Sequence, residues 1–153
     1  MDTYVVYDSV FGNTEKLAKA VAEAAGAKAV RVLEVRLEAL HDTKLLIAAS
    51  PTRAFKPTPA MTEWLQGLPE GAMKGVRVAA LDTRIRVEEI KPRLLRAMAK
   101  RFGYAADPML KLLVKKGGTQ AAPPQGFYVC ESEGPLKEGE AQRAADWAKT
   151  LIK

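Results

Sequence analysis

The chain has 153 residues, 48% hydrophobic and 27% charged, with a net charge of +6. This length predicts one globular domain, residues 1–153, and is too short for two ordinary domains. A single cysteine and a single histidine exclude an internal disulfide and the usual zinc ligand sets, so no metal site is expected. Neither a membrane-spanning apolar run nor a secretory leader is present, which predicts a cytoplasmic protein.

The first half of the chain alternates between strand and helix patterns. Its predicted elements are a strand at 5–7, a helix through Leu17, Val21 and Ala25 that ends at Gly26, strands at 30–35 and 44–50, and a helix that Thr58 caps and Pro59 begins. The run at 44–50 is apolar almost throughout, which is typical of a parallel strand covered on both faces.

The second half continues this alternation. Its predicted elements are a strand at 76–83, two helical pieces within 84–117, two short strand pieces within 119–129, and a helix at 138–152. Asp107 is predicted to cap the second helical piece, and Gly117 to end it. Pro123 and Pro124 cannot donate to a sheet, so the two short pieces are expected at its edge. Strands that alternate with helices predict a doubly wound α/β sandwich.

Such sheets bind ligands outside the carboxyl ends of their strands, which here are followed by residues 9–14, 50–55 and 82–84. The first of these loops matches neither the P-loop nor the dinucleotide fingerprint, and it contains no Lys or Arg. It is rich in small hydroxyl and amide residues and runs into a helix. Backbone N–H groups and the positive end of the helix dipole could bind a phosphate there; a simple helix cap is the alternative.

Four segments, in chain order, resemble flavodoxins and flavodoxin-like proteins. DSVFGNTEKLAKAVA is similar to the loop that binds the FMN phosphate, SPTRAFKPTPAMTEWL and LDTR to the second and third flavin loops, and GFYVCESEGPLKEGEAQRAADWA to the closing strand and helix. The resemblance covers most of the chain apart from a segment after Arg84. It implies a flavodoxin-like three-layer α/β/α sandwich with a five-stranded parallel sheet in the order 2-1-3-4-5, noncovalent FMN and electron transfer.

The resemblance also implies which residues bind the cofactor. The phosphate loop would be Ser9, Val10, Phe11, Gly12, Asn13 and Thr14; the second loop Pro51, Thr52, Arg53, Ala54 and Phe55; and the third Asp82, Thr83 and Arg84. Phe11 is a departure, because the family commonly has a hydroxyl there. Phe55 is the aromatic side chain expected to stack on the flavin ring, or else to plug the domain surface.

The third loop lacks the tyrosine that flavodoxins often stack on the flavin. The outer face of the ring is therefore expected to be bare or covered by Ile85 or Arg86. Elsewhere in the chain, His41 is interpreted as a solvated loop residue and Cys130 as a small packing residue. Trp64 and Trp147 are placed at the edges of the core. No catalytic residue is assigned.

The positive charge is concentrated in one segment. Between residues 84 and 116 three acidic residues accompany ten basic ones, namely Arg84, Arg86, Lys91, Arg93, Arg96, Lys100, Arg101, Lys111, Lys115 and Lys116, which gives +7 and leaves −1 for the rest of the chain. An electron-transfer partner with an acidic face is expected to dock there, unless these side chains form only a solvated helical face. Nucleic acid is not an expected partner, because the segment has no nucleic-acid motif.

Cations also lie within the flavin loops themselves. Arg53, Lys56, Arg84 and Arg86 are expected to raise the reduction potential above that of acidic flavodoxins by stabilising the reduced, anionic ring. Together these features favour an FMN-binding electron carrier. The alternatives are an FMN-dependent oxidoreductase of the quinone reductase type and a flavin-free binding module of the same fold.

Overall fold

Parallel strands and helices alternate along residues 2–152, which the computed structural model describes. The strands are β1 (Thr3–Tyr7), β2 (Lys28–Arg31), β3 (Leu45–Pro51), β4 (Arg77–Ile85), β5 (Thr119–Gln120) and β6 (Gln125–Val129). The helices are α1 (Asn13–Ala25), α2 (Pro59–Gly67), α3 (Arg93–Phe102), α4 (Ala106–Lys115) and α5 (Glu140–Leu151). No helix among these residues is both long and apolar enough to cross a membrane.

The sheet has the order β2-β1-β3-β4-β5, and β6 also pairs with β4. This confirms both the predicted order 2-1-3-4-5 and the division of the last strand into two pieces. β5 pairs with the beginning of β4 and β6 with its end, so that Pro123 and Pro124 lie between the two ladders. In this register Gly126 lies directly opposite Asp82.

Each face of the sheet carries its own apolar core. Successive strand residues point to opposite faces, so Val6 and Val5 of β1 belong to different cores. α2 and α4 cover one face, with Met61 and Met109 fully buried, whereas α1 and α5 cover the other. α3 contributes no residue to either core, and Ala99 is its one buried residue.

The second strand is shorter than predicted. β2 ends at Arg31, because its neighbour β1 ends at Tyr7 and Tyr7 pairs with Arg31. Beyond that point the chain has no strand pairing in the described sheet and forms a 3₁₀ turn at Val32–Glu34. Val32 is turned into the core, while Leu33 is 78% exposed. The apolar run predicted as strand 30–35 therefore divides between a strand and a turn.

Two further expectations about the helices have different outcomes. Thr58 caps α2 as predicted, since its hydroxyl accepts a hydrogen bond from the Met61 N–H at 3.3 Å. The prediction that Asp107 caps α4 was wrong, because the helix already begins at Ala106 and Asp107 instead pairs with Lys111. The Ala106 N–H donates to the carboxylate of Asp82, from another part of the chain.

The residues interpreted individually lie mostly as expected. His41 is exposed, and Trp64 and Trp147 are partly buried at the edges of the two cores. Cys130 was wrongly expected to pack inside, because it lies one residue beyond the end of β6 and is exposed.

Candidate functional site

A cavity of about 350 Å³ opens at the carboxyl ends of β1, β3 and β4. All the predicted cofactor-binding residues line it except Gly12 and Asp82. Gly12 belongs to the backbone of the first loop, and Asp82 is completely buried. The remaining wall consists of Ile85, one of the two side chains named as a cover for the ring, and of six residues that were not predicted to bind the cofactor, namely Ile90, Leu95, Ala99, Tyr104, Val129 and Ser132.

Two backbone N–H groups at the start of α1 converge on the Ser9 hydroxyl oxygen of the first loop. The Ser9 hydroxyl oxygen accepts hydrogen bonds from the N–H groups of Gly12, at 3.1 Å, and Glu15, at 3.3 Å. Gly12 has a φ of 93° and precedes the first residue of α1, which places these donors at the positive end of the helix. The Glu15 carboxylate is occupied by the Tyr7 hydroxyl and by Arg31. The donor set therefore suits an anion such as a phosphate.

Two side chains of this loop tie it to other parts of the site. The Thr14 and Thr83 hydroxyl oxygens are 2.9 Å apart and buried, which joins the first loop to the third. The Asn13 side-chain amide donates to the Glu133 carbonyl at 3.0 Å, which joins it to the segment after β6. Val129 and Ser132 bring that segment to the cavity wall.

The second loop is a tight hairpin with an unusual backbone. The N–H of Arg53 donates to the carbonyl of Lys56 at 2.7 Å, and the N–H of Lys56 donates back at 3.0 Å. The two residues between them, Ala54 and Phe55, have φ values of 50° and 68°. This left-handed region normally favours glycine, so the turn stores strain. It directs Phe55 to the cavity, where its ring lies 6.0 Å from that of Phe102.

Ala54→Gly is expected to stabilise the protein by up to about 1 kcal/mol, because the Cβ penalty at a positive φ, about 1–2 kcal/mol, exceeds the entropic cost of glycine, about 0.5–1 kcal/mol. Urea unfolding would measure the change. Ala20→Gly, in the interior of α1, is the matched control and is expected to destabilise by about 1 kcal/mol. A loss of stability in the Ala54 variant would show that this turn is not strained.

The third loop contains a buried ion pair. Both oxygens of the Asp82 carboxylate accept hydrogen bonds from Arg84, each at 2.7 Å, and one also accepts the Ala106 N–H at 2.8 Å. Burial raises the pKa of Asp82, whereas Arg84 and the Ala106 N–H oppose that rise. The Arg84 guanidinium carbon lies 3.9 Å from the centre of the Tyr104 ring. Asp82 thus fixes Arg84, which lines the cavity, without lining the cavity itself.

Tyr104 is the site residue that sequence reasoning missed most clearly. It lies between α3 and α4, far along the chain from the third loop, and its ring lines the cavity. The wall therefore has a tyrosine where none was expected. Of the two side chains proposed as a cover for the ring, Ile85 lines the cavity, but Arg86 instead lies over Tyr128 at 4.9 Å.

The four cations expected near the flavin ring are not equivalent. Lys56 and Arg86 do not line the cavity, and the charge of Arg84 is balanced by Asp82. Arg53 does line it and lies 5.3 Å over the Phe11 ring. No carboxylate within residues 2–152 makes an ion pair with Arg53. Of the four cations, Arg53 is therefore the one that lines the cavity and makes no ion pair within these residues.

The basic segment forms a distinct surface beside the cavity mouth. Arg93, Lys100 and Arg101 of α3 are exposed, as are its apolar residues Leu94, at 70%, and Phe102, at 59%. Other members of the segment are bound within the protein: Arg84 by Asp82, Lys111 by Asp107, Lys116 by the Gln66 carbonyl and Arg96 by the Ile90 carbonyl. We refer to the exposed residues 93, 94, 100, 101 and 102 as the α3 surface.

The fold is similar to solved structures over nearly the whole chain. A flavodoxin from the domain Archaea shares 17% identity at a TM-score of 0.74, covering 99% of this chain and 96% of its own. Flavodoxin 2 of Bacillus cereus shares 14% identity at a TM-score of 0.75, covering 99% and 97%. Rubredoxin:oxygen oxidoreductase of Desulfovibrio gigas shares 19% at 0.72, covering 99% of this chain and 35% of its own.

No protein-family model and no curated protein sequence matches the chain. The strand order, the helices on both faces of the sheet and these structural similarities agree with one another. The chain therefore has the flavodoxin fold, as its four sequence motifs predict.

Proposed function

We propose that this protein binds FMN noncovalently in the cavity and serves as an electron carrier. The observation that carries the proposal is the convergence of three loops on one cavity, the first of which presents N–H donors at a helix N-terminus. The phosphate would replace the Ser9 hydroxyl oxygen as the acceptor of these backbone N–H groups, and the Ser9 hydroxyl would then donate to it. Thr14, whose hydroxyl contacts Thr83, would hold this loop in place beside the third loop.

The other two loops suit a flat apolar ring. Phe55, Ile85 and Tyr104 line the cavity, and aromatic and aliphatic side chains of this kind favour stacking of a planar ligand. Bound FMN would supply one- and two-electron chemistry, while the protein binds it, orients it and tunes its potential. This division of labour requires no catalytic side chain.

The visible absorption spectrum of the purified protein, followed by an NADH turnover assay, tests the proposal. A carrier is expected to show flavin absorption and negligible NADH oxidation. Flavin absorption with rapid NADH oxidation would indicate the oxidoreductase alternative. A colourless protein that cannot be reconstituted with FMN would indicate a flavin-free binding module.

We further propose that the redox partner has an acidic face and docks on the α3 surface. The exposed cations Arg93, Lys100 and Arg101 flank the apolar side chains Leu94 and Phe102, beside the cavity that Leu95 and Ala99 line. Exposed apolar groups rimmed by charge are typical of an interaction site. Opposite charge on the partner would accelerate its association and orient it.

Reversal of charge at Arg93, Lys100 and Arg101 to Glu is expected to slow electron transfer to an acidic ferredoxin at least about tenfold at low salt. The difference should fall as salt rises, since salt screens exposed charges. Stopped-flow measurements would follow the transfer. The control reverses three exposed lysines elsewhere, Lys28, Lys74 and Lys149, with the same change in net charge. Equal slowing in both variants would show that the net charge of the protein causes the effect, and would contradict docking on the α3 surface.

A further inference from the structure

We propose that Asp82 sets the electrostatic potential of the cavity by neutralising the charge of Arg84. Asp82 also holds the Arg84 guanidinium against the Tyr104 ring, so that Arg84 lines the cavity as half of a neutral ion pair. This inference rests on the proposed FMN site and adds to it a residue that tunes the cofactor's potential. It concerns a side chain that does not itself line the cavity.

The strand geometry brings the pair together. Asp82 and Arg84 lie two residues apart on β4, and such residues project to the same face of a sheet. The guanidinium therefore reaches back to the carboxylate and makes two parallel hydrogen bonds of 2.7 Å each. A bidentate pair of this kind fixes both the position and the plane of the guanidinium.

The neighbouring strand provides the space for this arrangement. A Cβ atom added at Gly126, opposite Asp82, would lie 2.1 Å from the Arg84 Nε and 2.2 Å from its Cζ. The guanidinium thus packs directly on the Gly126 backbone, while its Cζ lies 3.9 Å from the Tyr104 ring centre. The guanidinium is held by contacts with three separate parts of the chain.

Burial makes the carboxylate dependent on these contacts. Asp82 is 0% exposed, whereas the side chain of Arg84 is 20% exposed and reaches the cavity. The third hydrogen bond of the carboxylate comes from the Ala106 N–H at the start of α4, where the helix dipole favours an anion. Asp82 thereby anchors the segment that carries Tyr104 as well as the arginine beside it.

Neutralisation of the Arg84 charge would affect the reduction potential of bound FMN. Two-electron reduction of FMN with uptake of one proton leaves the reduced ring anionic, so an unpaired cation at the wall would favour the reduced form. With Asp82 present, Arg84 contributes little to this preference, and among the described residues that line the cavity Arg53 is the cation without an ion pair. Asp82 would therefore hold the reduction potential lower than the sequence alone suggests.

The experiment compares FMN binding by three variants in the oxidised and reduced states. Asp82→Asn releases the Arg84 charge, so the affinity for reduced FMN relative to oxidised FMN should rise on the order of tenfold. That change corresponds to about 30 mV in the two-electron potential. The double variant D82N/R84Q removes both charges and should stay within about twofold of the parent protein. Arg53→Gln, which removes an unpaired charge, should lower the ratio.

The double variant keeps the test decisive if Asp82→Asn alone does not fold. If Arg84 instead acts as a free cation, removing both side chains would lower the relative affinity for reduced FMN about tenfold, and the proposal would be overturned. An unchanged ratio in a folded Asp82→Asn protein would overturn it too. A merely structural role for Asp82 would not raise the relative affinity in the single variant and leave it unchanged in the double variant.

A second readout needs no cofactor. Burial raises the pKa of Tyr104; Arg84 lowers it, while Asp82, Tyr128 and Glu88 raise it. The pKa of Tyr104 should therefore fall in the Asp82→Asn apoprotein and change far less in D82N/R84Q. NMR of ¹³Cζ-labelled tyrosine, assigned with Tyr104→Phe, would measure it. An unmoved pKa would contradict the proposal even if FMN binds, whereas a lowered pKa in a protein that never binds FMN would refute the proposed function alone.

Discussion

Gly126→Ala is expected to lower the free energy of unfolding by about 3–5 kcal/mol, the cost of breaking a buried ion pair by displacing one partner. The new methyl group would lie 2.1 Å from the Arg84 Nε, so the guanidinium must move away. The Asp82 carboxylate would then remain completely buried with a single hydrogen bond, from Ala106. Urea unfolding would measure the loss.

Gly67→Ala is the matched control for this variant. Gly67 lies at the end of α2, and a Cβ atom added there meets no atom within 4 Å. Alanine is also the better helix former, so the control should be neutral or slightly stabilising. Equal stabilities of the two variants would show that Arg84 can leave its position at little cost, and would weaken the assigned role of the pair.

Gly12→Val is expected to weaken FMN binding about 10- to 150-fold and to leave riboflavin binding nearly unchanged. No protein atom lies within 4 Å of a Cβ atom added at Gly12, so within the protein the cost of a side chain is backbone strain. At a φ of 93° a side chain costs about 1–2 kcal/mol, and more for a β-branched one. If the backbone relaxes, the Gly12 N–H leaves the loop, and a hydrogen bond to a charged group, about 1.5–3 kcal/mol, is lost.

Gly71→Val separates this effect from general strain. Gly71 has a φ of 76°, has no atom within 4 Å of an added Cβ, and does not line the cavity. The two variants should therefore lose similar stability, but Gly71→Val should bind FMN as the parent protein does. Fluorescence titration with FMN and riboflavin distinguishes them. Similar affinities of both variants for FMN would place the phosphate outside the first loop.

The sequence predicts the sheet and three walls of the cavity because both follow from local patterns. Apolar runs such as 44–50 identify buried parallel strands, and the carboxyl ends of neighbouring parallel strands necessarily meet at one edge. The predicted loops at 9–14, 50–55 and 82–84 are therefore adjacent in space. The end of β2 could not be predicted in this way, since it depends on where β1 ends.

The remaining wall depends on contacts between distant parts of the chain. Tyr104 lies in the segment that no motif covers, and its place at the cavity follows from the bond between the Ala106 N–H and Asp82. Likewise, no local sequence pattern shows that the charge of Arg84 is neutralised by an ion pair, or that Gly126 leaves space for the Arg84 side chain. The adjacent letters Asp-Thr-Arg did allow such a pair, since residues two apart on a strand share a face. Counting charges along the loops therefore overestimated the unpaired positive charge that lines the cavity.

Titration of the apoprotein with FMN and with riboflavin tests the central claim most directly, because the two ligands share the ring and differ by the phosphate. If the N–H groups of the first loop bind that phosphate, FMN should bind about a hundredfold more tightly or better, since each hydrogen bond to a charged group contributes about 1.5–3 kcal/mol. Equal affinities for FMN and riboflavin would contradict the account.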